Sequence, residues 1–148
     1  MTALARMIAT AGGIGFIPKG GGTAAAVAFC IIWYLFPMGY MYQGILLLVL
    51  LLAGTWSAGR METVWEHDSQ RIVIDEVAGM MMTLAFLPYK PAIIIVGCVL
   101  FRFFDIVKPL GIGRAEILPG GFGVMADDVL AGFYAQVLLR VLMALNLL

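Results

Sequence analysis

Apolar residues in this chain fall into long runs with short polar interruptions, and a window of about 20 residues finds five candidate membrane spans. The first covers about 23–42, with Pro37 and Gly39 near its far end and Trp33, Tyr34, Tyr40 and Tyr42 as a candidate aromatic belt. The second, about 43–59, is the clearest. The third covers about 72–88 and ends at Pro88, followed by the tight turn "PYKP". The fourth, about 91–107, opens on Pro91, a residue suited to a helix start. The fifth covers about 127–148. At about 1.5 Å per residue a 17-residue span covers roughly 25 Å, short but workable where the bilayer thins or flanking side chains snorkel. Long loops fall at about 60–71 and 108–126. The pattern predicts an all-α integral membrane protein, one domain over 1–148, with about five transmembrane helices. A short N-terminal interfacial or re-entrant helix precedes them. Gly12, Gly13 and Gly15 break the apolar run after Arg6, which makes it a poor signal peptide expected to stay on the mature protein.

Composition agrees. The chain is 63% hydrophobic and 12% charged, against about 25% charged in a soluble domain. A mean hydropathy of +1.03 means that most of the surface also faces something apolar. The formal net charge is zero, which offers nothing to a nucleic acid. Cys30 and Cys98 lie inside apolar runs and read as packing residues, and one histidine, His67, makes no His-rich metal site. The basic residues are sided. With five spans, Arg6, Lys19, Arg60, Arg71, Lys108 and Arg114 share one face, against Lys90 and Arg140 on the other. That asymmetry places the N-terminus and the long loops in the cytoplasm and the C-terminus outside.

The acids follow the same partition. In "RIVIDEVAGMMMTLAFLP", residues 71–88, Asp75 and Glu76 stand side by side where the apolar helix begins. A carboxylate at a membrane helix centre costs roughly 2.5 to 3.5 kcal/mol, less near an end. Asp105 ends the fourth span on that side, and Asp127 and Asp128 open the fifth. Helix capping would explain Asp127 and Asp75, but not Asp105 at a helix C-terminus, nor two adjacent acid pairs. A polyanionic cluster calls for cations. Arg102 and Lys108, each three residues from Asp105, can supply some. A divalent ion is the more economical partner, and an all-oxygen donor set favours Mg²⁺ or Mn²⁺ over Zn²⁺. Gly79 and Gly132 are placed to let these helices approach closely. Two glycine-rich stretches, "GGIGFIPKGGGTAAA" at 12–26 and "PGGFGVMADD" at 119–128, precede helix starts that can hold an anion, although neither has Walker A order.

Three blocks carry a resemblance. "HDSQRIVIDEVAGM" at 67–80, "FRFFDIVKPLGI" at 101–112 and "GGFGVMADDVLAG" at 120–132 together resemble the phosphatidylglycerophosphatase A family, in the family's order. "GIGFIPKGGGTAAA" resembles the family's N-terminal G-x-G-x-x-P-x-x-P-G-T-x-G-S block. It departs at Gly21, Ala25 and Ala26 and matches at Gly22 and Thr23. The resemblance implies Mg²⁺-dependent hydrolysis of phosphatidylglycerophosphate to phosphatidylglycerol and phosphate, at the cytoplasmic face of the bacterial inner membrane.

Residue types narrow the mechanism. The chain has no Cys-x5-Arg, one histidine rather than two, and no D-x-D-x-[TV], which leaves metal-activated water. Asp75, Glu76, Asp105, Asp127 and Asp128 are the expected catalytic residues and Mg²⁺ ligands, with Asp68 a secondary candidate. Arg102, Lys108, Lys19 and Thr23 are the expected contacts of the substrate phosphate. Two alternatives stand beside this reading. A transporter would also place carboxylates in the membrane, but here they crowd one face rather than step across it. A CDP-alcohol phosphotransferase would also use metal-bound acids, but its D-G-x2-A-R…G-x3-D-x3-D pattern is absent.

Overall fold

A proline with no N–H to give cannot continue a helix, and Pro37 turns the chain inside the first apolar run. The computed structural model describes residues 2–65 and 69–148. Among them are six α-helices and no strand: α1 Thr2–Ala9, α2 Gly21–Leu35, α3 Tyr40–Glu62, α4 Ile74–Leu84, α5 Pro91–Val107 and α6 Gly121–Ala144. Short 3₁₀ helices occupy Ile14–Phe16 and Pro109–Ile117. The predicted boundary between the first two spans therefore moves to Pro37–Gly39, and Tyr40 and Tyr42 begin α3 instead of ending α2. The fourth predicted run coincides with a helix of the same bounds, Pro91–Val107.

Two predicted spans change more. The third is an 11-residue helix, not 17. It stops because Gln43, from α3, takes the next free backbone group: Phe86 N–H donates to Gln43 Oε1 at 2.6 Å. Phe86 itself takes a left-handed φ of 61°, and Pro88 disfavours helical geometry just beyond. The fifth begins at Gly121 rather than at 127, so Asp127 and Asp128 lie in its second turn.

The helices α2 to α6 alternate in direction, and α4 is the hub, packed against α2, α3, α5 and α6. Seven of its eleven residues are buried, among them Met80, Met81 and Leu84. Its crossing with α6 is close because Gly79 and Gly132 face each other. A Cβ on Gly132 would run into the Gly79 carbonyl, and one on Gly79 would lie 2.8 Å from the Asp128 carbonyl. The short helix α1 is packed as well. Ala5 and Ala9 are fully buried in a cluster with Ala58 and Met61 of α3, and Val73 N–H donates to Ala9 O at 2.8 Å.

Two helices, α3 and α6, are long and apolar enough to cross a membrane. At 15 and 17 residues, α2 and α5 are shorter, and α4 is shorter still. The expectation of five full spans narrows accordingly. Large apolar side chains nevertheless cover the outside: Ile31, Ile32 and Leu35 on α2, Leu48 and Leu52 on α3, Ile95 and Val99 on α5, Val137 and Val141 on α6.

Candidate active site

Alternating helix directions bring the start of α2, the end of α3, the start of α4, the end of α5 and the start of α6 to one end of the bundle. A cavity of about 500 Å³ opens there. Its wall holds Asp75, Glu76, Asp105, Asp127 and Asp128, together with Lys19, Thr23, Arg102 and Lys108. These are the residues singled out from the sequence, except Asp68, which lies outside the described residues.

Helix capping does not account for the acids. Asp75 and Glu76 occupy the first turn of α4, yet no side chain caps that helix. Asp75 Oδ1 accepts from the adjacent Glu76 N–H, at 3.1 Å, which is not a capping bond. The first turn of α6 contains no acid at all. Asp127 and Asp128 are instead buried, at 6% and 4% exposure.

Cations reach only part of this charge. Arg102 Nη1 lies 2.6 Å from Asp105 Oδ2, one helical turn away, and 3.9 Å from Glu76 Oε1. The short contact is an ion pair without hydrogen-bond alignment: among the described residues Arg102 Nη1 and Nε have no hydrogen-bond partner. Lys108 pairs with another acid of the cluster. As the left-handed C-cap of α5, with φ 48°, it ends that helix and puts Nζ 2.7 Å from Asp127 Oδ2 on α6. Two buried carboxylate oxygens, Glu76 Oε2 and Asp128 Oδ2, have no hydrogen-bond partner among the described residues. Buried acceptors are nearly always satisfied, so such orphans point to a missing cation.

The donor set fits one. Single oxygens of Asp75, Glu76 and Asp128 lie within 4.8 Å of one another, and so do those of Asp105, Asp127 and Asp128. Asp128 belongs to both groups, so the cluster has room for one or two ions. Oxygen-only ligands select hard divalent cations.

Other wall residues were not singled out in advance. Ser69 and Gln70 line the cavity just upstream of Asp75. Their place in the "HDSQR" block was the available signal. Gly20, Gly21 and Gly22, part of the glycine-rich stretch read in the sequence as an anion-holding helix start, line it too, at the uncapped start of α2. Gly22 is there for a steric reason, since a Cβ at that position would overlap Glu76 Oε1.

The sequence model of a family described as "Phosphatidylglycerophosphatase A" matches residues 7–143. The chain belongs to the phosphatidylglycerophosphatase A family. Two relatives bear the same name. One, from Escherichia coli (strain K12), is 32% identical over 85% of this chain and 76% of its own length. The other, from Haemophilus influenzae, is 47% identical over 48% of this chain and 45% of its own length. A protein of Bacteroides thetaiotaomicron, provisionally named a phosphatidylinositol-3-phosphatase, is 41% identical over 91% of both chains. No solved structure matches. Family membership makes the chain a lipid phosphatase, and the acidic cavity is where its charged residues converge.

Proposed function

We propose that this enzyme hydrolyses phosphatidylglycerophosphate to phosphatidylglycerol and inorganic phosphate. The observation that carries the reading is the acidic cavity itself. Five carboxylates, two of which (Glu76 and Asp128) bury an oxygen with no hydrogen-bond partner among the described residues, stand beside Arg102, whose Nε and Nη1 lack one as well. The family and two relatives' names supply the substrate.

Asp75, Glu76, Asp105, Asp127 and Asp128 would hold Mg²⁺, which when bound supplies Lewis acidity that neutralises phosphate charge and lowers the pKa of water. The chain's own residues do the rest. Arg102 and Lys108 face the phosphoryl oxygens and neutralise charge as it builds. Lys19, Thr23 and the backbone N–H groups at the start of α2 orient the monoester. A carboxylate of the cluster takes the proton from water as it attacks phosphorus in line, the P–O bond to glycerol breaks, and that proton passes to the leaving oxygen to give the free hydroxyl.

The same reading sets the enzyme in the membrane. The apolar belt on α2, α3, α5 and α6 faces lipid, and α4 stays inside the bundle. The six-to-two basic asymmetry turns the acidic end to the cytoplasm. This is the bacterial inner membrane, crossed several times, with α2 and α5 spanning by local thinning of the bilayer.

Phosphate release by purified protein from phosphatidylglycerophosphate in detergent micelles, with and without chelator, is the test. Release that stops in EDTA and returns with Mg²⁺ supports the reading. Full activity after rigorous chelation, or no release at all, overturns it. Phosphatidylinositol 3-phosphate belongs in the same assay, because a relative covering 91% of the chain carries that name. For orientation, a reporter after Leu148 should lie outside the cytoplasm and one at Glu116 inside; both on one side would refute the topology.

A further inference from the structure

A second cavity, about 520 Å³, adjoins the acidic one, and Ile17, Lys19, Ser69 and Gln70 line both. Gly15, Phe16, Pro18 and Arg71 complete its wall. The chemistry of the two walls is opposite. Five carboxylates line the first, whereas the charges on the second, among the described residues, are Lys19 and Arg71.

No carboxylate among the described residues pairs with Lys19 or Arg71. The Arg71 guanidinium instead lies 5.8 Å from the Trp65 ring centroid, and Arg6 approaches the same ring at 5.8 Å. Phe16 meets that indole edge-on at 6.3 Å. An aromatic face orients a guanidinium while leaving its N–H fork free for an oxyanion. The backbone beneath is fixed. Gly15 N–H donates to Thr10 O at 3.0 Å, and a Cβ on Gly15 would collide with the Arg71 carbonyl. The Ile14–Phe16 turn and the Arg71 backbone are therefore pressed together in the wall of the cavity.

We propose that this second cavity is an anion subsite for the phosphodiester of the lipid substrate, with Arg71 as its principal contact and Lys19 between the two cavities. The proposal rests on the phosphatase reading above and assigns a role that reading leaves blank. The substrate carries two phosphates, a terminal monoester and the diester that joins the headgroup to the diacylglycerol. The acidic cavity takes the monoester. The basic cavity, one shared wall away, takes the diester, so the enzyme reads a pair of phosphates rather than one. A neighbouring anionic lipid presents the same diester chemistry, and the experiment separates the two sources.

Arg71→Gln removes the charge and keeps much of the side chain. Two competitive inhibitors divide the site: phosphatidylglycerol carries the diester alone, and inorganic phosphate stands for the monoester. Arg71→Gln should weaken inhibition by phosphatidylglycerol about tenfold and raise KM for phosphatidylglycerophosphate by a similar factor, while inhibition by phosphate and kcat stay within about twofold. Arg71→Lys should recover part of the loss, through the charge without the fork, which a purely structural role would not predict. Equal weakening of both inhibitors, or of neither, overturns the subsite and leaves the phosphatase reading intact. A short-chain monomeric substrate in neutral detergent is the only anionic lipid present. Persistence of the Arg71→Gln effect there assigns the substrate's own diester, and its disappearance assigns a neighbouring lipid and overturns the proposal. A wild-type protein that releases no phosphate removes the underlying reading instead. Titration calorimetry with phosphatidylglycerol on both proteins then still decides the subsite.

Discussion

At the end of the bundle where α3 begins and α4 stops, Gln43 is fully buried and all its hydrogen-bonding groups are used. Its Nε2 donates to Met38 O at 2.9 Å and to Tyr89 Oη at 3.1 Å, and its Oε1 accepts from Phe86 N–H. Tyr89 Oη in turn accepts from Met38 N–H at 3.0 Å and stacks its ring on Trp33. At the opposite end, Glu76 and Asp128 each bury an oxygen with no hydrogen-bond partner among the described residues, and like charges stand together. Satisfied buried groups each contribute about 1 kcal/mol, while orphaned ones cost more than that. The neutral end closes the fold. The acidic end leaves buried groups without a partner among the described residues, which the proposed metal and substrate would complete, and substitutions should separate the two.

The largest effect belongs to Asp128→Asn, because Asp128 is shared by both carboxylate groups. Phosphate release should fall at least about a thousandfold, the scale seen when one member of a catalytic unit is lost. The melting temperature in detergent should hold or rise, since an orphaned buried charge becomes a neutral amide. Adding Asp75→Asn should make turnover little worse, because the groups act as one unit. A protein that keeps its turnover, or melts much earlier, would remove the distinction between the two ends.

Gly22→Ala comes next. The new methyl must displace the Glu76 carboxylate or push α2 away from α4. A shift of about 1 Å in a catalytic group can cost about a hundredfold, so kcat should fall by ten- to a hundredfold. The Mg²⁺ concentration for half-maximal activity should rise with it. Unchanged metal dependence would mean that Glu76 is not a ligand. At the neutral end the readouts exchange places. Gln43→Leu strands Phe86 N–H, while Met38 O keeps Tyr89 Oη as a donor, and should lower stability by about 1 to 3 kcal/mol. Denaturation in detergent would show that loss, and turnover per folded molecule should be unaltered.

The acidic cavity was legible in the sequence because its residues sit at the ends of apolar runs. Run order alone then brings 75–76, 105 and 127–128 to one face. The fourth helix was legible because Pro91 marks its start. What escaped depends on contacts between distant residues. Hydropathy cannot see Gln43 reach across 43 positions to end α4 at Leu84. It reads "PGGFG" as loop, whereas Gly121 is helical and packed so close to Thr55 that a Cβ would strike its carbonyl. Lys108 was legible as a cation for the cluster, but the acid it meets, Asp127, is set by a left-handed cap. Arg71 looked like one more cytoplasmic charge until Trp65 and the Ile14–Phe16 turn were seen around it.

The smallest effect sharpens the contrast most, because it repeats the Gly22 substitution at the other end. Gly44 lies in the first turns of α3, next to Gln43, with no positive φ. A Cβ there would meet only Phe86 Cζ, at 3.9 Å, an ordinary contact. Glycine inside a helix is less stable than alanine by roughly 0.5 to 1 kcal/mol, through the freedom it has in the unfolded chain. Gly44→Ala should therefore raise the melting temperature slightly and leave kcat, KM and the Mg²⁺ requirement unchanged. The same methyl at Gly22 meets a carboxylate instead of a ring edge and should damage activity. If both variants lost turnover alike, the two ends would be coupled through α3 and α4, and the division between a closed end and a working end would fail. If Gly44→Ala destabilised the protein, the Gln43 network would be packed too tightly to accept even an ordinary contact.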